Sequence, residues 1–263
     1  MTSQFRLPTS DFKAILLDIE GTTTPIAFVY DVLFPFVRRR LRAYLFDPGN
    51  HAELVEPLRR LRQEWSVDPD YHSRNGGPGG VQARTGPDPD GPGGDLEGMA
   101  AYVIWLMDQD RKSPGLKLLQ GQIWDEGYRR GELKGEVFAD VAPALRRWRD
   151  AGVVVAIYSS GSELAQRRLF ATTAHGDLTP LLAHFFDTAV GAKQAAESYR
   201  RIARELGMSP DRMLFVSDVT TELDAAHSAG CQVRLCVRPG NRPQPNHEYP
   251  VIESFDNVLA SDR

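Results

Sequence analysis

Strand and helix alternate in strict order through the second half of this chain, and that alternation limits the possible folds more than any other feature. A helical stripe through Val141, Leu145 and Trp148 stops at Gly152, and the run VVVAIY follows as a buried strand. Next come a helix from about Ser162, helical residues near Leu181, a short strand TAV, and a helix through Tyr199, Ile202 and Leu206 that ends at Gly207. MLFVSD is another strand, TTELDAAHSAG another helix stopping at Gly230, and CQVRLCV a last strand. One strand stands apart near the N-terminus, KAILLD at 13–18. Apolar strands joined through helices build a parallel sheet covered on both faces.

Between Ala27 and Arg130 the periodicity is helical and no convincing strand occurs. Val29, Leu33, Phe36, Val37, Leu41 and Tyr44 recur at three- and four-residue steps, with Pro35 expected to kink that helix. Leu54, Val55, Leu58, Leu61 and Trp65 make a second stripe; Leu96, Met99, Val103, Leu106 and Met107 make a third that Asp95 is placed to cap. A fourth helix covers Leu116 to Tyr128. The glycine-rich run at about 72–94 follows no strand and closes with no Gly-Lys-Ser/Thr, so it reads as a flexible loop and not as a phosphate loop. The expected fold class is α/β: a Rossmann-like parallel-sheet core with helices on both faces, formed by 1–25 and 132–263, plus an all-helical cap, 26–131, inserted after the first strand.

The strand ends carry the chemistry. The first delivers Asp18 and Glu20 in DIEGTT; VVVAIY delivers Ser159 and Ser160 in YSSGS; the segment after TAV delivers Lys193; MLFVSD delivers Asp218. Parallel strands put these ends on one edge of the sheet, where open α/β sheets bind ligands. Each group alone has a plainer role: the serines as caps for the next helix, Lys193 as an exposed lysine, Asp218 as an N-cap for TTELDAA. Together they suit phosphoryl transfer. A carboxylate that attacks phosphorus needs a cation between the two anions, and Mg²⁺ takes oxygen ligands, commonly one or two carboxylates with a substrate phosphate. Asp18 and Asp218 supply the carboxylates, Lys193 offsets negative charge, and Ser159 or Ser160 with nearby N–H groups hold phosphoryl oxygens. Glu20 is left to protonate the leaving oxygen and then to take a proton from water.

Composition narrows the partners. The chain has 263 residues and a formal net charge of -4, so no overall positive field draws it to nucleic acid or membrane. Arg38, Arg39, Arg40 and Arg42 read as a solvated helix face. No secretory leader or bilayer-spanning run is recognised, and Cys231 and Cys236 read as buried thiols in a reducing compartment, so the expected location is cytoplasmic. The hydrophobic stripes can be used up internally, which favours a monomer acting on a small phosphorylated molecule.

Asp18 in DIEGTT, Ser159 in YSSGS, Lys193, and Asp218 in SDVTTE resemble the four motifs of the haloacid dehalogenase superfamily, and the helical insertion resembles its cap domain. More closely, LLDIEGTTTPIAFVYDVLFPF, DRKSPGLKLLQGQIW, FADVAPALRRWRDAGVVVAIYSSGS, FFDTAVGAKQAAESYRRIA and VRPGN resemble the acireductone synthase, or enolase-phosphatase, family of methionine salvage. The resemblance implies a Mg²⁺-dependent enzyme that enolises 2,3-diketo-5-methylthiopentyl 1-phosphate and then removes its phosphate. It implies Asp18 as nucleophile and metal ligand, Glu20 as acid/base or metal-site carboxylate, Ser159, Ser160 and Lys193 as substrate contacts, and Asp218 as metal ligand. The glycine-rich loop has no obvious counterpart in that family. Three alternatives stand beside this reading: a Mg²⁺-dependent phosphatase of another small phosphoester, a metal-free haloacid dehalogenase, and a phospho-acceptor signalling module of the receiver type. Closure of the cap to exclude water during enolisation is a further expectation.

Overall fold

The computed structural model describes residues 12–74, 96–244 and 247–258. The expected cap at Asp95 and nearly all of the glycine-rich loop lie outside the described residues. The chain divides into two compact units, Met1–Val32 with Arg130–Arg263, and Leu33–Arg129.

The first unit is a parallel sheet of β1 (Ala14–Leu17), β2 (Val154–Tyr158), β3 (His184–Phe186), β4 (Met213–Ser217), β5 (Gln232–Cys236) and β6 (Val251–Ile252), in the order β3-β2-β1-β4-β5-β6. Between the strands run α6 (Val141–Asp150), α7 (Glu163–Ala171), α8 (Ala196–Glu205) and α9 (Thr220–Ser228). β1 is central, which is why AILL is apolar at every position: both faces of each residue are covered. Ala14, Leu16, Ala156, Tyr158, Met213 and Phe215 face one way and pack with Tyr199 and Ile202 of α8 and Leu223 and Ala226 of α9. The alternate residues Ile15, Leu17, Val155, Ile157, Leu214 and Val216 are as deeply buried on the opposite face. Truncating such a side chain to alanine costs about 2–5 kcal/mol. Trp148 of α6 packs its ring against Phe255, 5.4 Å between centroids, and donates its indole N–H to Val258 O.

Strand order matters for function. From β1 the chain proceeds outward through β2 and β3, then crosses back to β4 on the other side of β1. The order therefore reverses between β1 and β4, and the crevice outside their carboxyl ends is where such sheets take ligands. Leu17 pairs with Val216, so Asp18 and Asp218 emerge beside one another at that point.

Two strand expectations need correction. The third strand is HFF and not TAV: Asp187 accepts the Ala189 N–H on its side chain and Val190 N–H on its carbonyl, so TAV is committed to a turn while His184–Phe186 pairs with β2. CQVRLCV is not the last strand either, because Val251–Ile252 adds to β5 at the sheet edge. Two residues carry too little pattern to be read as a strand.

The second unit is helical among the described residues: α1 (Phe34–Phe46), α2 (His51–Ser66), α3 (Pro69–Arg74), α4 (Leu96–Asp108) and α5 (Pro114–Arg129). Phe36, Val37, Leu41 and Tyr44 of α1, Leu54, Leu58 and Leu61 of α2, and Met99, Val103 and Leu106 of α4 are buried as the stripes require. Val55 is not; it is 66% exposed, because it lies one residue off the Leu54–Leu58–Leu61 line. Pro35 does not kink a continuous α-helix. A π-helical segment, Phe28–Leu33, comes first, and Pro35 occupies the first turn of α1, where its missing N–H leaves no bond unmade. Helices α2 and α5 meet at Gly115, where a Cβ would stand 2.7 Å from Leu61 Cγ.

Candidate active site

The turn after β1 is wound around one carbonyl. Ile19 O accepts the N–H groups of Thr22, Thr23 and Thr24, and Thr23 Oγ1 donates back to Asp18 O at 3.1 Å. Gly21 makes the turn possible: its φ is +70°, and a Cβ there would lie 2.4 Å from Asp218 Oδ2. The carboxyl of Asp18, 4% exposed, is thereby held at the end of β1. Its Oδ1 accepts the Ile19 N–H at 2.7 Å and meets Lys193 Nζ at 2.6 Å. Its Oδ2 has one longer contact, to Ser217 Oγ at 3.3 Å, and is the less encumbered oxygen.

Lys193 is equally buried and bridges two acids, Asp18 and Glu222, each at 2.6 Å. Tyr199 pins its backbone by donating to Lys193 O at 2.7 Å. Burial alone would lower the ammonium's pKa; the charges of Asp18 and Glu222 outweigh it and raise the pKa, so Lys193 stays charged. Asp218 is buried beside these groups. Burial first, and then the charge of Asp18, push its carboxyl up to about 7. Glu222 moves the same way and for the same two reasons, against the pull of Lys193. Three carboxylates around one ammonium leave an excess of negative charge that a proton or a bound cation must offset.

The structure thus joins Asp18, Lys193 and Asp218 and removes their plainer roles. Lys193 is not at the surface, and α9 begins after Val219 with no side-chain cap from Asp218. Ser159 and Ser160 follow β2, the strand next to β1. Ser159 is buried, its hydroxyl accepting the Gly161 N–H at 3.2 Å, while Ser160 is exposed. Neither caps α7, whose cap is Ser162 accepting from Ala165 N–H. Glu20, half-buried, lies on the Asp18 turn in a backbone bridge with Thr24.

Glu222 and Ser217 were missed by sequence reasoning. Glu222 stands four residues after Asp218, in the first turn of α9, where an acid reads as ordinary complement to the helix dipole. Ser217 ends β4 and donates to Glu222 Oε2 at 3.0 Å, while Val219 N–H donates to it.

The donor set fits a hard divalent cation. Asp18 and Asp218 offer carboxylate oxygens, and three buried oxygens around the turn, Thr22 Oγ1, Thr24 Oγ1 and Asn241 Oδ1, have no hydrogen-bond partner. Among the described residues no group of three His, Cys, Asp or Glu side chains converges as a complete metal site. Mg²⁺ commonly takes one or two carboxylates and fills its remaining positions with water and substrate phosphate.

Comparison with known proteins bears on this geometry. Residues 12–230 match the model of the haloacid dehalogenase-like hydrolases. The enolase-phosphatase E1 of Synechococcus elongatus (strain ATCC 33912 / PCC 7942 / FACHB-805) is 46% identical over 252 residues, covering 96% of this chain and 99% of that protein. A Zea mays protein described as a probable bifunctional methylthioribulose-1-phosphate dehydratase/enolase-phosphatase E1 is 43% identical over 248 residues, 94% of this chain and 47% of that longer protein. The crystal structure of the UTR4 protein of Saccharomyces cerevisiae superposes with a TM-score of 0.69 at 31% identity, covering 94% of this chain and 99% of that one. A buried aspartate at the switch point, a buried lysine beside it and near full-length identity of this order lead to one conclusion: the chain belongs to the enolase-phosphatase E1 family of haloacid dehalogenase-like hydrolases.

Proposed function

We propose that this protein is the enolase-phosphatase of methionine salvage, converting 2,3-diketo-5-methylthiopentyl 1-phosphate into acireductone and phosphate with Mg²⁺. The observation that carries the phosphatase half is the buried Lys193–Asp18 pair at 2.6 Å beside Asp218. The name of the Zea mays relative supports the substrate. Loss of water from methylthioribulose 1-phosphate leaves a 2,3-diketone on the same phosphorylated five-carbon chain, which is the molecule an enolase-phosphatase would then receive.

The residues divide the work. Asp18 attacks phosphorus through a carboxylate oxygen, forming an aspartyl-phosphate as the bond to the enol oxygen breaks. Glu20 gives its proton to that leaving oxygen and afterwards takes one from the water that cleaves the aspartyl-phosphate, which returns Asp18 and Glu20 to their starting states. Lys193 stays charged and offsets the developing negative charge, and Ser159, Ser160 and neighbouring N–H groups hold the phosphoryl oxygens. Asp18 and Asp218 would hold Mg²⁺ directly, with Glu20 at the turn reaching it through water. When bound, that ion screens phosphate from carboxylate and polarises the substrate's oxygens. Enolisation needs a base as well. The buried, unpaired Cys231 and Cys236 support a reducing, cytoplasmic setting.

The test is parallel measurement of phosphate release and acireductone absorbance from the diketone phosphate, with and without Mg²⁺, for wild type and Asp18→Asn. Wild type is expected to form both products only with Mg²⁺, and Asp18→Asn to lose phosphate release by at least about 10³-fold. Hydrolysis of generic phosphoesters without turnover of the diketone would leave a phosphatase of another small phosphoester; activity abolished by a chelator argues against a metal-free dehalogenase acting on a carbon centre. Stable labelling of Asp18 without release would indicate the signalling module.

A further inference from the structure

The VRPGN segment that follows β5 takes no part in the mechanism above, yet its side chains reach back to the catalytic turn. Arg238 is buried; its Nε donates to Thr22 O at 3.3 Å, Nη1 to Glu253 O at 2.9 Å and Nη2 to Asp140 Oδ2 at 2.8 Å. Asn241 Nδ2 donates to Gly21 O at 2.9 Å and to Cys236 O at 3.2 Å. Three residues on, Gln244 Oε1 accepts the N–H of Thr220 at 3.2 Å. The segment therefore ties the turn after β1 to the start of α9, the two places that carry Asp18 and Asp218.

The orientation of Asn241 follows from its partners. Two carbonyl oxygens can be satisfied only by N–H donors, so the amide nitrogen faces Gly21 and Cys236 and the oxygen faces away from them. That Oδ1 is buried and has no hydrogen-bond partner. It stands 2.9 Å from the point a Gly21 Cβ would occupy, and Asp218 Oδ2 stands 2.4 Å from the same point. Both oxygens therefore stand close to Gly21 and to one another, and an amide oxygen and a carboxylate oxygen are both acceptors. Only a donor or a cation satisfies them, and a buried acceptor left unpaired is costly.

We propose that Asn241 is a positioning residue of the cation site: Oδ1 accepts a hydrogen bond from water on a divalent cation held by Asp18 and Asp218, while Nδ2 fixes the turn that carries Asp18. The role rests on the Mg²⁺-dependent reading above. Outer contacts of this kind set ligand orientation and metal affinity.

The test is calorimetric titration of Mg²⁺ alone into the purified full chain, without substrate, for wild type, Asn241→Ala and Asn241→Asp. Circular dichroism melts in a chelator establish that each variant folds. Asn241→Ala is expected to weaken Mg²⁺ binding by about 10-fold or more, and Asn241→Asp, which keeps an oxygen at that place but loses the donor to Gly21 O and Cys236 O, to weaken it by clearly less. A folded Asn241→Ala that binds Mg²⁺ like wild type would overturn the proposal while leaving the phosphatase reading intact. Equal weakening in both variants would do the same, since it would reduce Asn241 to a tie for the turn. If Asn241→Ala does not fold, Asn241→Asp decides alone: Mg²⁺ binding within about tenfold of wild type supports the role, and loss of all detectable binding refutes it. A wild type that binds no Mg²⁺ would remove both this role and the Mg²⁺-dependent reading.

Discussion

At Asp218, burial and the neighbouring charge of Asp18 raise the carboxyl from its ordinary 3.8 to about 7. The folded chain holds that proton more tightly than the unfolded chain, so between those values the folded state carries the greater proton load. The metal-free protein should therefore lose stability as pH rises from about 4 to about 7, and Glu222 acts in the same sense. Urea midpoints in a chelator at pH 5 and pH 8 measure the effect. Asp218→Asn should flatten the dependence, raise the midpoint at pH 8 and abolish the stabilisation that Mg²⁺ gives the wild type. A steeper loss in Asp218→Asn would mean that another group dominates. Asp18, Lys193 and Asp218 could be picked out from the sequence because each ends or follows an apolar strand. Glu222 and Asn241 could not, since an acid in a helix's first turn and an asparagine after a glycine each have an ordinary local use.

Among the elements, periodicity located the helices that bury one clear stripe and misled where a residue sat beside it. Val55 is apolar but points off the Leu54–Leu58–Leu61 line, and Val251–Ile252 is too short for any period to show. TAV has the composition of a strand, yet the Asp187 side chain turns the backbone before it can pair. Local hydrogen bonding from one Asp outweighed β-propensity there. The α2–α5 contact offers a sharper check. A Cβ on Gly115 would meet Leu61 Cγ at 2.7 Å and Leu61 N at 2.9 Å, and a backbone atom cannot move aside without shifting α2. Gly115→Ala should therefore destabilise the helical unit by about 1–3 kcal/mol despite its gain in helix propensity. Denaturant unfolding followed by tryptophan fluorescence measures this. An unchanged or raised midpoint would show that the helices separate at little cost.

For the molecule as a whole, the described large hydrophobic side chains that remain exposed are spread over several elements, including Phe46 of α1, Val55 of α2, Leu164 of α7 and Val251 of β6, with Tyr30 and Val32 sharing Phe28–Leu33. With a net charge of -4, that surface favours a monomer, and light scattering should return a mass near 29.3 kDa across the micromolar range. A concentration-dependent doubling would refute it. Among the described residues no helix is long and apolar enough to cross a membrane. The sequence by itself determined the class of fold, the helical character of the insertion and the strand-end acids, because periodicity and turn chemistry are local and survive without tertiary contacts. Only the tertiary structure decided that β1 and β4 are neighbours across the reversal of strand order, and hence that Asp18 and Asp218 share one crevice. It also decided that Lys193 answers both Asp18 and Glu222, and that Asn241 and Arg238 reach the turn after β1. Those pairings join residues far apart in the chain, and their strength comes from a buried environment that no short stretch of sequence contains.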